Sequence, residues 1–204
     1  SNLDLIEFVE GYLAEHGISS KKVPNKKGTK ANLYATIGPM EEGGIILSGH
    51  TDVVPVEGQP WDTDPFVLTE KEDRLYGRGT CDMKAYAAIA LSLIPEMKNL
   101  KKPIHLAFSY DEEIGCLGAP GMIEELKENL PKPRAVIVGE PTEMKVVTAH
   151  KGIVALTTTV TGHEAHSSQT HRGVSAVMTA SKLIQWLEDR AEKLRQSAPK
   201  DSGF

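Results

Sequence analysis

Three apolar runs of this sequence are each followed directly by acidic or histidine residues, and helix-like segments lie between the runs. The three junctions are residues 45–49 before His50-Thr51-Asp52, residues 104–110 before Asp111-Glu112-Glu113, and residues 135–139 before Glu140-Pro141-Thr142. Short apolar runs that alternate with helical patterns predict strands of an α/β sheet. Because ligands of open α/β sheets bind beyond the carboxyl ends of the strands, we expect the three clusters to share one crevice.

The other predicted elements fit the same fold class. They alternate along the chain as helices over residues 3–16, 85–97 and 119–129, the second of them buried, and strands over residues 32–37, 44–48, 103–110 and 134–139. This alternation predicts a layered α/β domain with helices on both faces of the sheet.

The pattern changes after residue 152. Residues 153–161 alternate apolar residues with threonines, which predicts a strand with one solvated face, and residues 173–195 have the apolar spacing of a long amphipathic helix. One strand and one helix do not make a domain. We therefore expect one domain at residues 1–152 and the incomplete beginning of a second at residues 153–204.

Composition and charge exclude two classes of function. The 204 residues are 40% hydrophobic and 25% charged, as in globular proteins. The net charge of -5 and the lack of a basic stripe argue against nucleic-acid binding, and no apolar run approaches the ~20 residues of a membrane span. Cys81 and Cys116 are too few for a disulfide framework, so free thiols and a cytoplasmic location are expected.

A fourth acid, Asp82, follows a glycine-rich loop just before the predicted helix at residue 85. Taken singly, Asp82 is interpreted as a helix N-cap, Glu112 and Glu113 as surface acids, and His50 as a hydrogen-bonded core histidine. Taken together, carboxylates gathered at one sheet edge would repel each other unless cations neutralise them. The sequence therefore favours a metal site.

Imidazole and carboxylate ligands without thiolate suit Zn²⁺, Co²⁺ or Mn²⁺. Asp52, two residues after His50, is spaced to hold the second ring nitrogen of that histidine. Adjacent Glu112 and Glu113 on an extended segment would point in opposite directions, so one could bind metal while the other acts as a base.

Six stretches, taken in order, resemble one known family. They are residues 48–55 (SGHTDVVP), 75–84 (LYGRGTCDMK), 111–113 (DEE), 139–142 (GEPT), 149–152 (AHKG) and 162–168 (GHEAHSS). The chain resembles the co-catalytic zinc metallohydrolases that include acetylornithine deacetylase, succinyl-diaminopimelate desuccinylase and carboxypeptidase G. Residues 61–66 make it most similar to the acetylornithine deacetylase branch.

The resemblance implies a fold and a set of metal ligands. The fold would be a three-layer α/β catalytic domain, here residues 1–152, interrupted by a ferredoxin-like lid or dimerisation domain that begins at residue 153. The implied ligands of two divalent metals, most often Zn²⁺, are His50 and Glu140 for one ion, Glu113 for the other, and Asp82 between them.

The resemblance also implies catalytic residues and partners. Asp52 would orient His50, Glu112 would be the general base, and His166 would reach from the lid into the site of a neighbouring subunit of a homodimer. The implied reaction removes a short acyl group from an N-acyl amino acid, with N-acetylornithine deacetylation in arginine biosynthesis as the leading expectation. The alternatives are succinyl-diaminopimelate desuccinylase, another aminoacylase or dipeptidase, or a catalytically inactive metal-binding fragment.

Two departures from the family pattern stand out. Where the family usually has glycine after the DMK triplet, this chain has Ala85 and then Tyr86. The family's remaining histidine ligand comes from a motif near the C-terminus of a longer chain, and no further histidine here matches that motif. We therefore expect the sequence to represent the N-terminal half of such an enzyme.

Overall fold

The computed structural model describes residues 1–199, which form two compact units, Ser1–Lys145 and a second from Val146 onward. The strands are β1 (Ser20–Pro24), β2 (Ala31–Ile37), β3 (Ile45–His50), β4 (Thr69–Lys71), β5 (Arg74–Tyr76), β6 (Ile104–Ser109) and β7 (Ala135–Val138). The helices are α1 (Leu3–Glu15), α2 (Ala85–Ser92), α3 (Ala119–Asn129) and α4 (Ala176–Ser197). No helix among these residues is long and apolar enough to cross a bilayer.

A mixed sheet of five strands forms the centre of the first unit, in the order β1-β2-β6-β3-β7. β3 runs parallel to both β6 and β7, whereas β1 and β2 are antiparallel to their neighbours. Ile45 on β3 is in register with Ile104 on β6 and with Ala135 on β7. The carboxyl ends of β3, β6 and β7 therefore lie at one edge of the sheet, in agreement with the predicted α/β fold.

Helices cover both faces of this sheet and produce three layers, as predicted. On one face, α1 and α2 pack on β2 and β6 around buried Leu13, Leu33 and Phe108. On the other face, Met122 of α3 packs against Ile46 and Ala107. The predicted bounds of α3 are confirmed, whereas β1 and the β4–β5 hairpin were not predicted, because their short polar strands have no apolar alternation.

The prediction of a single buried helix over residues 85–97 is wrong in the length and the burial of the helix. α2 ends at Ser92, and a separate 3₁₀ turn follows at Ile94–Glu96. Pro95 explains the break, because proline lacks the N–H that a helix interior needs and its ring clashes with the preceding turn. Ile89 is 59% exposed, so one side of α2 faces away from the sheet.

The second unit contains α4 but not the predicted strand. Ser175 caps α4, since its Oγ accepts a hydrogen bond from the N–H of Met178 at 3.2 Å. Residues 153–161 are irregular, and Ile153 and Leu156 are almost fully exposed. A lone strand leaves its backbone groups without partners, and no neighbouring strand pairs with this segment in the described residues. Residues 200–204 of the predicted second domain lie outside the described residues, and its assignment as a lid stays a prediction.

Candidate metal centre

His50, the last residue of β3, is the buried centre of the polar cluster, with a side chain that is 1% exposed. Its Nδ1 lies 3.0 Å from the main-chain oxygen of Asp52, which can only accept, so Nδ1 carries a proton. Its Nε2 lies 3.0 Å from Oδ1 of Asp82 and 3.7 Å from Oε1 of Glu140. In a neutral ring the Nε2 lone pair would face two carboxylates, a repulsion that either a proton on Nε2 or a metal ion between the groups removes.

The register of β3 and β7 brings Glu140 to His50. Ser48 pairs with Val138, and the N–H of Gly139 donates to the oxygen of Ser48 at 3.1 Å. His50 and Glu140 each come two residues after this pair. They consequently leave the sheet side by side on adjacent parallel strands.

Asp82 lies in a tight turn, Thr80–Lys84, that precedes α2. The helix begins at Ala85 without a side-chain cap, so the structure excludes the interpretation of Asp82 as its N-cap. Gly79 enters the turn with a positive φ of 84°, a conformation that glycine adopts without strain. The turn thus directs the Asp82 carboxylate to the imidazole of His50.

Glu112 and Glu113 lie in a turn after β6, so the prediction of an extended segment at this point is wrong. The N–H groups of Gly115 and Cys116 both donate to the main-chain oxygen of Glu112 at 2.9 Å and close the turn. Asp111, at the start of the turn, forms an ion pair with Lys30. Asp111 is therefore held by a lysine, whereas Glu112 and Glu113 reach the cluster.

The Asp52 carboxylate holds the turn that carries both glutamates. Its Oδ1 accepts from the N–H of Glu112 at 3.1 Å and its Oδ2 from the N–H of Glu113 at 3.0 Å. The predicted contact with His50 is longer, at 3.5 Å between Nδ1 and Oδ1. Asp52 thus touches His50 mainly through its main chain, and its side chain joins the end of β3 to the end of β6, a role that spacing did not indicate.

Asn32 is a further supporting residue that the sequence reasoning missed. Its buried amide donates to the oxygen of Gly118 at 2.9 Å and accepts from the N–H of Tyr110 at 3.2 Å. These bonds hold both ends of the glutamate-bearing turn. The available signal was an asparagine near the start of a largely apolar strand.

Two groups of side chains have the spacing of metal ligands. Their donor atoms lie within 4.8 Å of one another in the sets His50-Asp82-Glu113 and His50-Glu112-Glu140. The sets contain imidazole and carboxylate and no thiolate, so their chemistry fits Zn²⁺ or a similar divalent ion. Since Glu112 belongs to one set, its position is compatible with a metal ligand as well as with a base.

Burial and mutual repulsion alter the proton affinities of the cluster. Burial raises the pKa of Glu113, and the charge of Asp82 raises it further. Burial also raises the pKa of Glu140, together with Asp82, Glu112 and Glu113, although His50 opposes this. Burial lowers the pKa of His50, but the hydrogen bond to Asp82 and the surrounding carboxylates outweigh it, so the pKa is raised overall. The crowded carboxylates thus favour any bound cation.

His166 belongs to the second unit, not to the unit that contains this cluster. Its exposed ring precedes a short 3₁₀ segment at Ser167–Arg172, and its Nδ1 accepts from the N–H of Ser168 at 3.2 Å. The Nε2 atom then carries the proton of the neutral ring.

Comparison with known proteins assigns the chain that carries this cluster to a family. The profile of Peptidase family M20/M25/M40 matches residues 46–203, which contain every candidate ligand. The chain belongs to this family. It is 37% identical over 199 residues to an acetylornithine deacetylase of Pasteurella multocida (strain Pm70), covering 96% of this chain and 51% of that protein. It is 39% identical over 191 residues to the acetylornithine deacetylase of Buchnera aphidicola subsp. Schizaphis graminum (strain Sg), covering 92% and 49%.

Solved structures agree with the family assignment. Human carnosine dipeptidase 1 has 26% identity and a TM-score of 0.55, over 66% of this chain and 32% of that chain. The M20 family metallo-carboxypeptidase Sso-CP2 from Sulfolobus solfataricus has 29% identity and a TM-score of 0.54, over 66% and 30%. Compared with the acetylornithine deacetylases above, the chain spans about half the length of the curated relatives it matches.

Asp52→Asn should lower both stability and metal affinity. The substitution replaces one acceptor oxygen by an NH₂ group, so one main-chain N–H of the glutamate turn loses its partner, at about 1–3 kcal/mol of unfolding free energy. The displaced turn should weaken zinc binding by about 10–100-fold. Urea unfolding and zinc titration measure the two effects. Asp73→Asn, at an exposed acid in the β4–β5 turn, is the control, and equal behaviour of the two variants would contradict the role of Asp52.

Proposed function

We propose that this chain forms the metal-binding part of an amide hydrolase that removes a short acyl group from an N-acyl amino acid. The proposal rests on the position of the His50 Nε2 atom, which faces the carboxylate of Asp82 and the carboxylate of Glu140 after β7. Family membership and the acetylornithine deacetylase relatives support N-acetylornithine as the first candidate substrate, and with it a step of arginine biosynthesis.

His50, Asp82, Glu113 and Glu140 would hold two divalent ions, Zn²⁺ in the first instance, with Co²⁺ and Mn²⁺ also suited to the same ligands. When bound, such ions polarise a carbonyl group and lower the pKa of water from about 15.7 toward neutrality. Burial raises the pKa values of Glu113 and Glu140, and the neighbouring carboxylates raise them further. A cation at this position would favour their charged forms and relieve the repulsion between them.

In this proposal Glu112 moves the protons of the reaction. Amide hydrolysis requires that the attacking water lose a proton and that the leaving nitrogen gain one. The Glu112 carboxylate would accept the first proton and deliver it to the amine. Asp52 would keep this carboxylate in place by binding the main-chain N–H of Glu112.

Two alternatives are other activities of the same family, and a third belongs to a different functional class. Succinyl-diaminopimelate desuccinylase or another aminoacylase differs in the acyl group, and the fold similarity to carnosine dipeptidase 1 keeps dipeptides as possible substrates. The third is a metal-binding module without turnover. The chain spans about half of its relatives, so activity is to be tested on the full-length protein.

A substrate panel tests the proposal. The zinc-loaded full-length protein should hydrolyse N-acetylornithine faster than N-succinyl-diaminopimelate, other N-acetyl amino acids or dipeptides. A chelator should abolish the reaction and added Zn²⁺ should restore it, as measured by release of free amine. Hydrolysis of none of these amides would overturn the proposal, and preference for a dipeptide would favour the alternative substrate class.

Glu112→Gln separates a base from a ligand. The amide keeps the size of the side chain but cannot accept the proton, so the rate should fall by roughly 10²–10⁴-fold, with both metals still bound. Turnover and metal content are measured together. Glu128→Gln, at an exposed acid on α3, should retain wild-type values. Loss of a metal would make Glu112 a ligand, and an unchanged rate would make it a surface acid.

His166 is proposed to act on the site of a neighbouring subunit in a homodimer. His166→Ala should slow turnover without loss of metal, because the exposed ring donates from Nε2 to substrate and binds no ion in this scheme. His171→Ala, in the same exposed segment, is the matched control. Mixed dimers of His166→Ala and Glu112→Gln subunits should regain part of the activity, since one site then has both residues. Absence of any recovery would exclude action across subunits.

A further inference from the structure

Tyr86, in the first turn of α2, packs directly against the main chain of Gly139. A Cβ atom placed on Gly139 would lie 2.1 Å from Cγ of the Tyr86 ring and 2.3 Å from both Cδ atoms. Only glycine leaves room for a ring at this distance. The same ring faces Gly49, where an added Cβ would lie 3.6 Å from Cδ1.

These two glycines directly precede two candidate ligands of one metal. Gly49 comes before His50 on β3, and Gly139 comes before Glu140 after β7. Met83 completes the support on the β3 side, since its Sδ accepts from the N–H of His50 at 3.3 Å and its Cε would lie 2.9 Å from a Cβ on Gly49. The Tyr86 ring therefore packs against the main chain that carries the side chains of His50 and Glu140.

The Tyr86 hydroxyl group adds a polar link to the same strand. It donates to the main-chain oxygen of Ile137 at 3.1 Å. Within the described residues β7 pairs with β3 on one side and with no strand on the other, and Val136 and Val138 are 53% and 58% exposed. Tyr86 thus holds β7 at Ile137 and Gly139, where neighbouring side chains give the strand little support.

We propose that Tyr86 is a positioning residue that fixes Glu140 relative to His50 and so sets the affinity of the metal that these two residues would share. The inference rests on the proposed function in one respect, that a metal binds there. A ring that merely filled space would affect stability alone. A ring that aligns Glu140 should affect one of the two metals and leave the ion at Glu113 largely unchanged.

The first test compares metal affinities in the full-length protein by calorimetric titration with zinc chloride. Tyr86→Ala should weaken one of the two binding events by about 10–100-fold, as substitutions of supporting residues around a metal do, and should leave the other within about threefold. Tyr86→Phe keeps the ring and should lose less than tenfold. Ile89→Ala, at an exposed position of the same helix, should bind both ions as the wild type does.

A second test exploits the close contact itself. Gly139→Ala should weaken the same binding event strongly, because its new methyl group collides with the ring. Combining Gly139→Ala with Tyr86→Ala removes the collision and should restore at least part of the affinity. Absence of any such recovery would overturn the proposed role of this contact in metal binding.

The remaining outcomes also decide between explanations. Wild-type affinities for both ions in Tyr86→Ala, or equal weakening of both, would overturn the positioning role. If circular dichroism shows that Tyr86→Ala does not fold, Tyr86→Leu takes its place under the same criteria. Failure of the wild-type protein to bind two ions would overturn the proposed function itself, which differs from failure confined to the Tyr86 variants.

Discussion

Parallel pairing of β3 with both β6 and β7 brings the polar side chains of the candidate metal centre to one edge of the sheet. The strands run in one direction and in register, so their carboxyl ends bring distant parts of the sequence to one edge of the sheet. β2 runs the opposite way, and its beginning therefore reaches the same edge. This is why Asn32 lies within reach of the turn that follows β6.

The second constraint is the charge that this convergence creates. Partly buried carboxylates that lie close together are costly, and the fold offsets part of the cost with its own groups. Two main-chain N–H groups bind Asp52, and Lys30 pairs with Asp111. Lys84, whose pKa burial lowers, donates to the main-chain oxygen of Thr51 at 2.7 Å and lies near Asp52 and Glu113. Burial is the main reason that the pKa values of Glu113 and Glu140 are raised, and the neighbouring carboxylates raise them further, so these groups leave part of the repulsion uncompensated.

The sequence predicted what depends on local pattern and missed what depends on contacts. Apolar runs and their polar ends located β3, β6 and β7, and helical spacing located α3 and α4. The Asp52 bonds to the glutamate turn and the contact of Tyr86 with Gly139 join residues far apart in sequence, so no local spacing could reveal them. The strand predicted over residues 153–161 is the opposite kind of error. The alternation of these residues suits a strand, but a strand also needs a pairing partner, which a local pattern cannot reveal.

The edge position of β7 has a consequence for handling the 204-residue chain. In the described residues its outer side pairs with no strand, and Val136, Ile137 and Val138 are about half exposed. An apolar strand with an open edge can pair with the same strand of another molecule, and folded proteins usually block such edges with lysine, proline or a covering element. At high concentration this chain therefore has a site for edge-to-edge aggregation at the strand that precedes Glu140.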